Sequence, residues 1–407
     1  MKPMGPIPPD FQARDGALLI GGRTAAELVA EAGDTPLFVY DLAVIRQRIE
    51  RFRGAFPSID LHYAIKANPF PTLLAAMRPL VDGFDVASEG ELRVAVEAGM
   101  PAAAISFAGP GKRGRELKAA IRAGVTINLE SEGEARRALA SAEEIGVRPR
   151  LAVRVNPDFE LRGSGMRMGG GAKPFGIDAE RVPALVKDLL AAGAEWQGFH
   201  IFAGSQALDA DAIVEAQAAT VALAARLSDA AGAAPPRVNL GGGFGIPHFA
   251  GDQALNVERI GEALAATLTH RPLVLGETRF CLELGRWLVG EAGVYLTRIV
   301  DRKESGGQTF LIVDGGLQHQ LAASGNFGTV VKRNYPIAVA HRFGAEAEET
   351  VNVHGCLCTP LDRLGDQVAL PRTDVGDLIA IFLAGAYGAT ASPAAFLGHP
   401  PAHEVIA

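Results

Sequence analysis

From about residue 36 to residue 285 the chain alternates two textures. Short runs of apolar, β-branched and aromatic positions are separated by longer Ala-, Leu-, Glu- and Arg-rich stretches with helical spacing. The runs "PLFVYD", "DLHYAIKA", "GFDVAS", "AISFAG", "TINLES", "RLAVRVN", "GFHIFAG", "RVNLGGG" and "FCLELG" predict buried strands. Between them "GELRVAVEAG", "GRELKAAIRAG", "EGEARRALASAEEIG" and "AIVEAQAATVALAARLSDAAG" predict helices, most of them ending at glycine. That rhythm predicts parallel βα units, and its length suits a (β/α)8 TIM-like barrel better than an open sheet. After residue 286 the pattern becomes Val-, Ile- and Thr-rich, as in "VGEAGVYLTRIVDRKES" and "QTFLIVDGG", and predicts a mainly β domain. The expected organisation is an N-terminal segment 1–35 packing with the β domain, a barrel over 36–285 and a β-rich domain over 286–407.

Composition narrows the classes. The 407 residues exceed one ordinary core, and 48% hydrophobic with 21% charged residues is a globular balance. A net charge of -7 without basic blocks argues against nucleic acid or an anionic membrane as partner. No apolar run is long enough to span a bilayer, and "MKPMGPIPPDF" lacks the apolar core of a secretion signal. Three sparse cysteines, Cys281, Cys356 and Cys358, do not make a disulfide framework, so a cytoplasmic protein is expected.

In a barrel the reactive groups sit at the carboxyl ends of the strands. Those ends supply Lys66 in "YAIKAN", Asp85, Ser88 and Glu91 in "FDVASEGE", Arg154 in "AVRVNP", and His200, Phe202 and Ser205 in "HIFAGSQ". They also supply Gly241, Gly242 and Gly243 in "NLGGGFG", and Glu283, Gly285 and Arg286 in "LELGR". A lone lysine at a strand end ordinarily snorkels to water, whereas an amine of lowered pKa suits a Schiff base. The other strand ends favour the second role for Lys66. The glycine triplet serves equally as a tight turn or an anion cradle, and it is not a dinucleotide fingerprint. The glycine-rich run 163–176 lacks a P-loop signature and reads as a flexible loop whose Lys173 covers the site. Glu283 is costly to bury without a partner; a protonated pyridine nitrogen or an ion pair with Arg286 would each supply one. Cys356 and Cys358 lack a second ligand pair at zinc spacing. Tyr387, in "GAYGATASPAAFLG", is either a phosphate contact or a packing residue.

These stretches, in this order, resemble the fold type III pyridoxal-phosphate decarboxylases that act on ornithine, arginine and diaminopimelate, and share the fold of alanine racemase. The resemblance covers residues 36 to 399 and rests on "YAIKAN", "FDVASEGE", the glycine triplet, E-x-G-R, "VDGG", a Cys followed by an Asp, and "GAY". The wording of "ISFAGPGKR", "GGGAKPFG", "CTPLDRLGD" and "LAASGNFG" is most similar to decarboxylases of exosortase A polysaccharide systems, and also to carrier-protein glutamyl decarboxylases. The resemblance implies pyridoxal 5'-phosphate as cofactor and decarboxylation of an amino acid or an aminoacyl carrier protein, through an aldimine with Lys66 and a quinonoid intermediate. It implies that Asp85 and Arg154 support the site, that Ser205, Gly241, Gly242, Gly243 and Tyr387 hold the phosphate, and that Glu283 faces the pyridine nitrogen. Arg286 lies beside the phosphate or a substrate carboxylate, and Cys358 reaches the partner subunit's site to protonate product. A homodimer with shared active sites follows.

The sequence departs from that family at several positions. Three places before Ser205, where a histidine usually stacks on the cofactor, stands Phe202; His200 lies two residues earlier on the same strand face. Phe202 is therefore expected to stack, with His200 nearby. Thr359 follows Cys358 where an acidic residue often grips a distal amine, and Asp362 is the next carboxylate in reach. The arginine and tyrosine that hold diaminopimelate are not seen in "LQHQLAASGNFG". Leu284 and Cys356 stand where proline is usual. These departures point away from diaminopimelate and simple diamine precursors. A decarboxylase of a free amino acid and a racemase on the same fold remain the alternatives; Glu283 argues against the racemase.

Overall fold

The computed structural model describes residues 1–163, 165–325 and 333–407. The chain divides into two compact units, one formed by Ile49–Gly245 with Ala254–Gly285, the other by Met1–Arg48, Ile246–Gln253 and Arg286–Ala407.

In the first unit eight parallel strands close into a ring among the described residues: β1 (Asp60–Ala64), β2 (Gly83–Val86), β3 (Ile105–Phe107), β4 (Thr126–Leu129), β5 (Arg150–Asn156), β6 (Glu195–Ile201), β7 (Arg237–Gly242) and β8 (Arg279–Leu284). Each pairs with its neighbour in chain order, and β8 closes on β1 with Glu283 opposite His62. Buried apolar runs such as Leu61, Tyr63, Phe84 and Phe107 make these strands, because helices cover the outer face of such a barrel while its interior is filled by side chains. Helices Glu89–Glu97, Gly114–Ala123, Glu132–Ile145 and Ala210–Ala231 lie where the pattern places them. The last three stop at Gly124, Gly146 and Gly232 in the left-handed region.

One strand differs from expectation. "PLFVYD" supplies Leu37–Tyr40, which does not join the barrel; it pairs with Gly293–Ser305 and with His403–Ile406 in the second unit. A fully buried four-residue run carries no signal of which sheet will receive it. The barrel unit thus begins near residue 49 rather than 36. In the second unit the long strand Gly293–Ser305 also pairs with Gln308–Val313 and Leu378–Phe382, and the mainly β texture read from the sequence is what this sheet requires. The helix Ala25–Ala32 and the strand Ala17–Ile20 belong to the same unit. No helix among the described residues is long and apolar enough to cross a membrane.

The segment S-E-G-E occurs twice, at 88–91 and 131–134, and folds the same way both times. Ser88 and Ser131 cap their helices by accepting from the Glu91 and Glu134 amides. The glutamates reach back to the Ala87 and Glu130 amides at 2.6 and 2.7 Å. Glu134 uses its other oxygen on the buried Lys112, at 2.9 Å. Lys112 also donates to the Gly109 and Asn128 carbonyls at 2.7 and 2.8 Å. Burial pushes the Lys112 ammonium below its usual range, and Glu134 opposes that push.

This pair generates a stability prediction. Lys112→Met leaves the Glu134 carboxylate buried without its cation and should cost about 3–5 kcal/mol in chemical denaturation. Adding Glu134→Leu should recover most of the loss; a single variant as stable as the parent would show that the pair does not hold this part of the barrel.

Candidate active site

Strand β1 ends at Ala64, and Lys66 stands on a single 3-10 turn, Ile65–Ala67. The turn resolves the oddity of an ammonium in an apolar run: Ile65 and Ala67 are buried while the Lys66 side chain is 42% exposed. Ring closure brings β8 alongside, and Lys66 Nζ lies 3.3 Å from Glu283 Oε1. The other oxygen, Oε2, lies 3.0 Å from His200 Nε2 on β6. Glu283 is 5% exposed. Burial opposes its charge, but the Lys66 ammonium and the His200 hydrogen bond outweigh it and hold the carboxyl well below the usual range. The ring of Phe202 lies beneath the amine, its centroid 5.5 Å from Nζ. Its centroid is 6.4 Å from that of His200, with 64° between the planes.

Other predicted residues surround this group. Asp85, at the end of β2, is buried with its Oδ2 3.3 Å from His62 Nδ1, a contact too poorly aligned to be a hydrogen bond. Burial raises the Glu91 carboxyl above its usual range; its bond from the Ala87 amide and the charge of Lys66 oppose the rise, and Glu283 adds to it. Arg154 donates to Glu130 at 2.8 Å and lies 5.1 Å from the Phe175 ring. Glu130 also accepts from the Gly109 and Gly176 amides at 2.5 and 3.1 Å. Arg154 thus ties the end of the glycine-rich run to the barrel and adds a smaller positive influence on Glu283. Within that run Ser164 lies outside the described residues, and Lys173 is half-buried.

The glycine triplet leads from β7 into a turn. Gly242 is paired with Glu283 across β7 and β8, and a Cβ there would stand 2.0 Å from the Glu283 carbonyl oxygen. At Gly243, with φ +80°, a Cβ would meet the Gly204 carbonyl oxygen at 2.3 Å. Backbone thus runs hard against backbone, beside Glu283 on one side and next to Ser205 on the other. The Gly241 amide donates to Asn239 Oδ1 at 2.8 Å, so it is committed to the turn rather than to an anion.

In the second unit Arg286 opens the short helix Arg286–Val289 directly after Gly285. Its guanidinium lies 4.7 Å from the Tyr387 ring, and Nη1 lies 3.5 Å from His248 Nε2. His248 escaped the sequence reading; its position just after the glycine turn, in "GGGFGIPH", was the available signal. Cys358 is exposed, and Thr359 beside it is half-buried. Asp362 differs from expectation. It is 1% exposed, and its carboxylate accepts from the Leu317 amide at 2.6 Å and the Leu357 amide at 2.8 Å. It is placed to clamp the cysteine-bearing loop rather than to meet a substrate. Part of "LQHQLAASGNFG", from residue 326 onward, lies outside the described residues.

A pyridoxal phosphate fits the barrel residues. An accessible amine stands beside a buried, ionised carboxylate, which suits a cofactor bearing an aldehyde at one position and a basic ring nitrogen at another. The buried Nδ1 of His200 and Oδ2 of Asp85 have no hydrogen-bond partner among the described residues, so the site keeps unspent polar capacity.

Residues 42–290 match the family model described as pyridoxal-dependent decarboxylase, pyridoxal binding domain. The chain is 36% identical over 380 residues to the L-glutamyl-[BtrI acyl-carrier protein] decarboxylase of Niallia circulans, covering 92% of this chain and 89% of that one. It is 33% identical over 402 residues to the diaminopimelate decarboxylase of Archaeoglobus fulgidus, covering 97% and 93%. The crystal structure of diaminopimelate decarboxylase from M. jannaschi superposes with a TM-score of 0.84 at 27% identity, covering 97% and 92%.

The close packing at Gly242 predicts that Gly242→Ala forces β7 from β8 and lowers stability by about 2 kcal/mol or more. Gly111→Ala, where a Cβ meets nothing within 4 Å, should be nearly neutral in the same denaturation experiment. Equal behaviour of the two variants would refute the close approach.

Proposed function

We propose that this chain, which belongs to the pyridoxal-dependent decarboxylases, acts on an amino acid presented as an aminoacyl group on a carrier protein, and does so as a homodimer with shared active sites. It is a pyridoxal-phosphate-dependent carboxy-lyase. The observation that carries the substrate reading is the residue after Cys358: Thr359 is neutral, and the next carboxylate, Asp362, spends both oxygens on backbone amides. A substrate with a distal ammonium finds no anion there, whereas an acylated substrate brings no such charge. The relative of 36% identity, named for a glutamyl carrier protein, supports the same choice.

When bound, the cofactor supplies an electron sink for the pair left behind as carbon dioxide departs. Lys66 would hold its aldehyde carbon and Glu283 its ring nitrogen. Glu283 contributes by staying ionised, so that a proton shared with it rests on the ring side; His200 secures that state by occupying Oε2. Phe202 offers an apolar face that carries no titratable group, unlike the histidine usual in the family. The family resemblance assigns Gly242, Gly243 and Ser205 to the phosphate, and likewise Arg286 and Tyr387. The Sγ of Cys358, exposed on this chain, is assigned to deliver a proton to the product α-carbon in a partner subunit's site.

Carbon dioxide release from free diaminopimelate, ornithine, arginine and glutamate, and from glutamyl and other aminoacyl carrier proteins, tests the substrate. The carrier-bound group should be turned over at least about tenfold more efficiently; a clear preference for diaminopimelate would overturn this reading. Lys66→Ala and Cys358→Ala should each reduce turnover by about 100-fold or more. Mixed and allowed to exchange subunits, the two should regain about a quarter of the parent activity, since half the dimers are hybrids with one intact site. No recovery on mixing would remove the shared site.

A further inference from the structure

We infer that His248 is a positioning residue that fixes the guanidinium of Arg286 by accepting from it, an inference that rests on the reading of Arg286 as a phosphate partner. His248 is 5% exposed. Its Nδ1 lies 2.9 Å from the Ile246 carbonyl oxygen. A carbonyl oxygen only accepts, so the ring hydrogen belongs on Nδ1 and Nε2 presents a lone pair. That lone pair faces Arg286 Nη1 at 3.5 Å.

The arrangement works only while the ring is neutral, and its surroundings keep it so. Burial, and then the charge of Arg286, push His248 down to about 4, against the Ile246 hydrogen bond and the opposing charge of Asp252. Tyr335 and Phe249 pack on the ring with centroids at 5.5 and 6.0 Å. Asp252 accepts from the His248 and Phe249 amides at 2.9 and 3.0 Å, which sets the backbone that carries the ring.

The guanidinium carbon lies over the Tyr387 ring, 4.7 Å from its centroid, and Tyr387 is itself held in the left-handed region at φ 64°. A non-glycine residue pays about 1 kcal/mol or more for that conformation, so the placement is imposed by its surroundings. The guanidinium is therefore held at Nη1 by His248 and over the ring of Tyr387. Its Nε–H is buried with no acceptor among the described residues. A fixed fork with donor capacity still to spend is what a phosphate oxygen needs.

The test titrates cofactor-free protein with pyridoxal 5'-phosphate and with phosphate-free pyridoxal, following absorbance. Arg286→Ala should weaken binding of the phosphorylated form by about 100-fold and leave pyridoxal unchanged. His248→Phe should weaken the phosphorylated form by about tenfold, leave pyridoxal within about twofold, and add nothing in the Arg286→Ala background. His248→Gln, which restores an acceptor, should recover most of the loss. Equal loss for both ligands, or an effect that simply adds to that of Arg286→Ala, would reduce His248 to a packing residue. If Arg286→Ala does not discriminate between the ligands, the phosphate reading of Arg286 fails and this inference with it. Unchanged pyridoxal binding reports that each variant is folded.

Discussion

A carboxylate in the wall of a closed barrel loses most of its hydration, and it keeps its charge only if the protein returns positive potential to it. Glu283 receives that potential on both oxygens, from the Lys66 ammonium on one and the His200 ring on the other. The two partners come from the turn after β1 and from β6, and Lys66 is 217 residues away in the chain. Only ring closure makes Lys66 and Glu283 neighbours, so the reactive pair and the barrel are one constraint. If Lys66 were to hold the cofactor as proposed, its lost charge would withdraw part of what keeps Glu283 ionised, and a protonated ring nitrogen would supply a replacement.

The same economy runs through the neighbouring strand ends. Lys112 and Glu134, Arg154 and Glu130 form two buried ion pairs at adjacent positions, with backbone amides and carbonyls filling their remaining capacity. Each glutamate holds a backbone amide as well as a cation, so these charges fasten the loops after β3 and β5. Glu91 has the same capping geometry as Glu134 but no buried lysine of its own, and burial raises its proton affinity. The local motif is identical; the side chain opposite determines whether the carboxylate is structural or available.

Much of this was legible because periodicity reports burial and chemistry reports strand ends. Eight of the nine strand candidates form the barrel, and Lys66, Glu283 and the glycine triplet meet around one position. What was not legible depends on partners distant in sequence. Leu37–Tyr40 reads like any buried strand, and only the long strand Gly293–Ser305 decides where it goes. Asp362 reads as a free carboxylate, but two amides contributed by Leu317 and Leu357 consume it. His248 follows the glycine turn in sequence, but its proximity to Arg286 appears only in the fold. The second S-E-G-E was in plain view, yet its meaning required Lys112.

On the proposed function, chemistry and selectivity are divided along the chain. Lys66, Glu283 and the glycine triplet are fixed by barrel closure and close backbone contact. The departures fall where one side chain can change without moving the backbone: Phe202 beneath the Lys66 amine and Thr359 beside Cys358. A distal ammonium desolvated without a counter-charge costs several kcal/mol, which is orders of magnitude in selectivity. In the proposed reading, the neutral Thr359 disfavours diamine precursors without altering the groups assigned to the chemistry. In that reading a substrate whose far end is an acyl linkage rather than a cation would meet no such penalty.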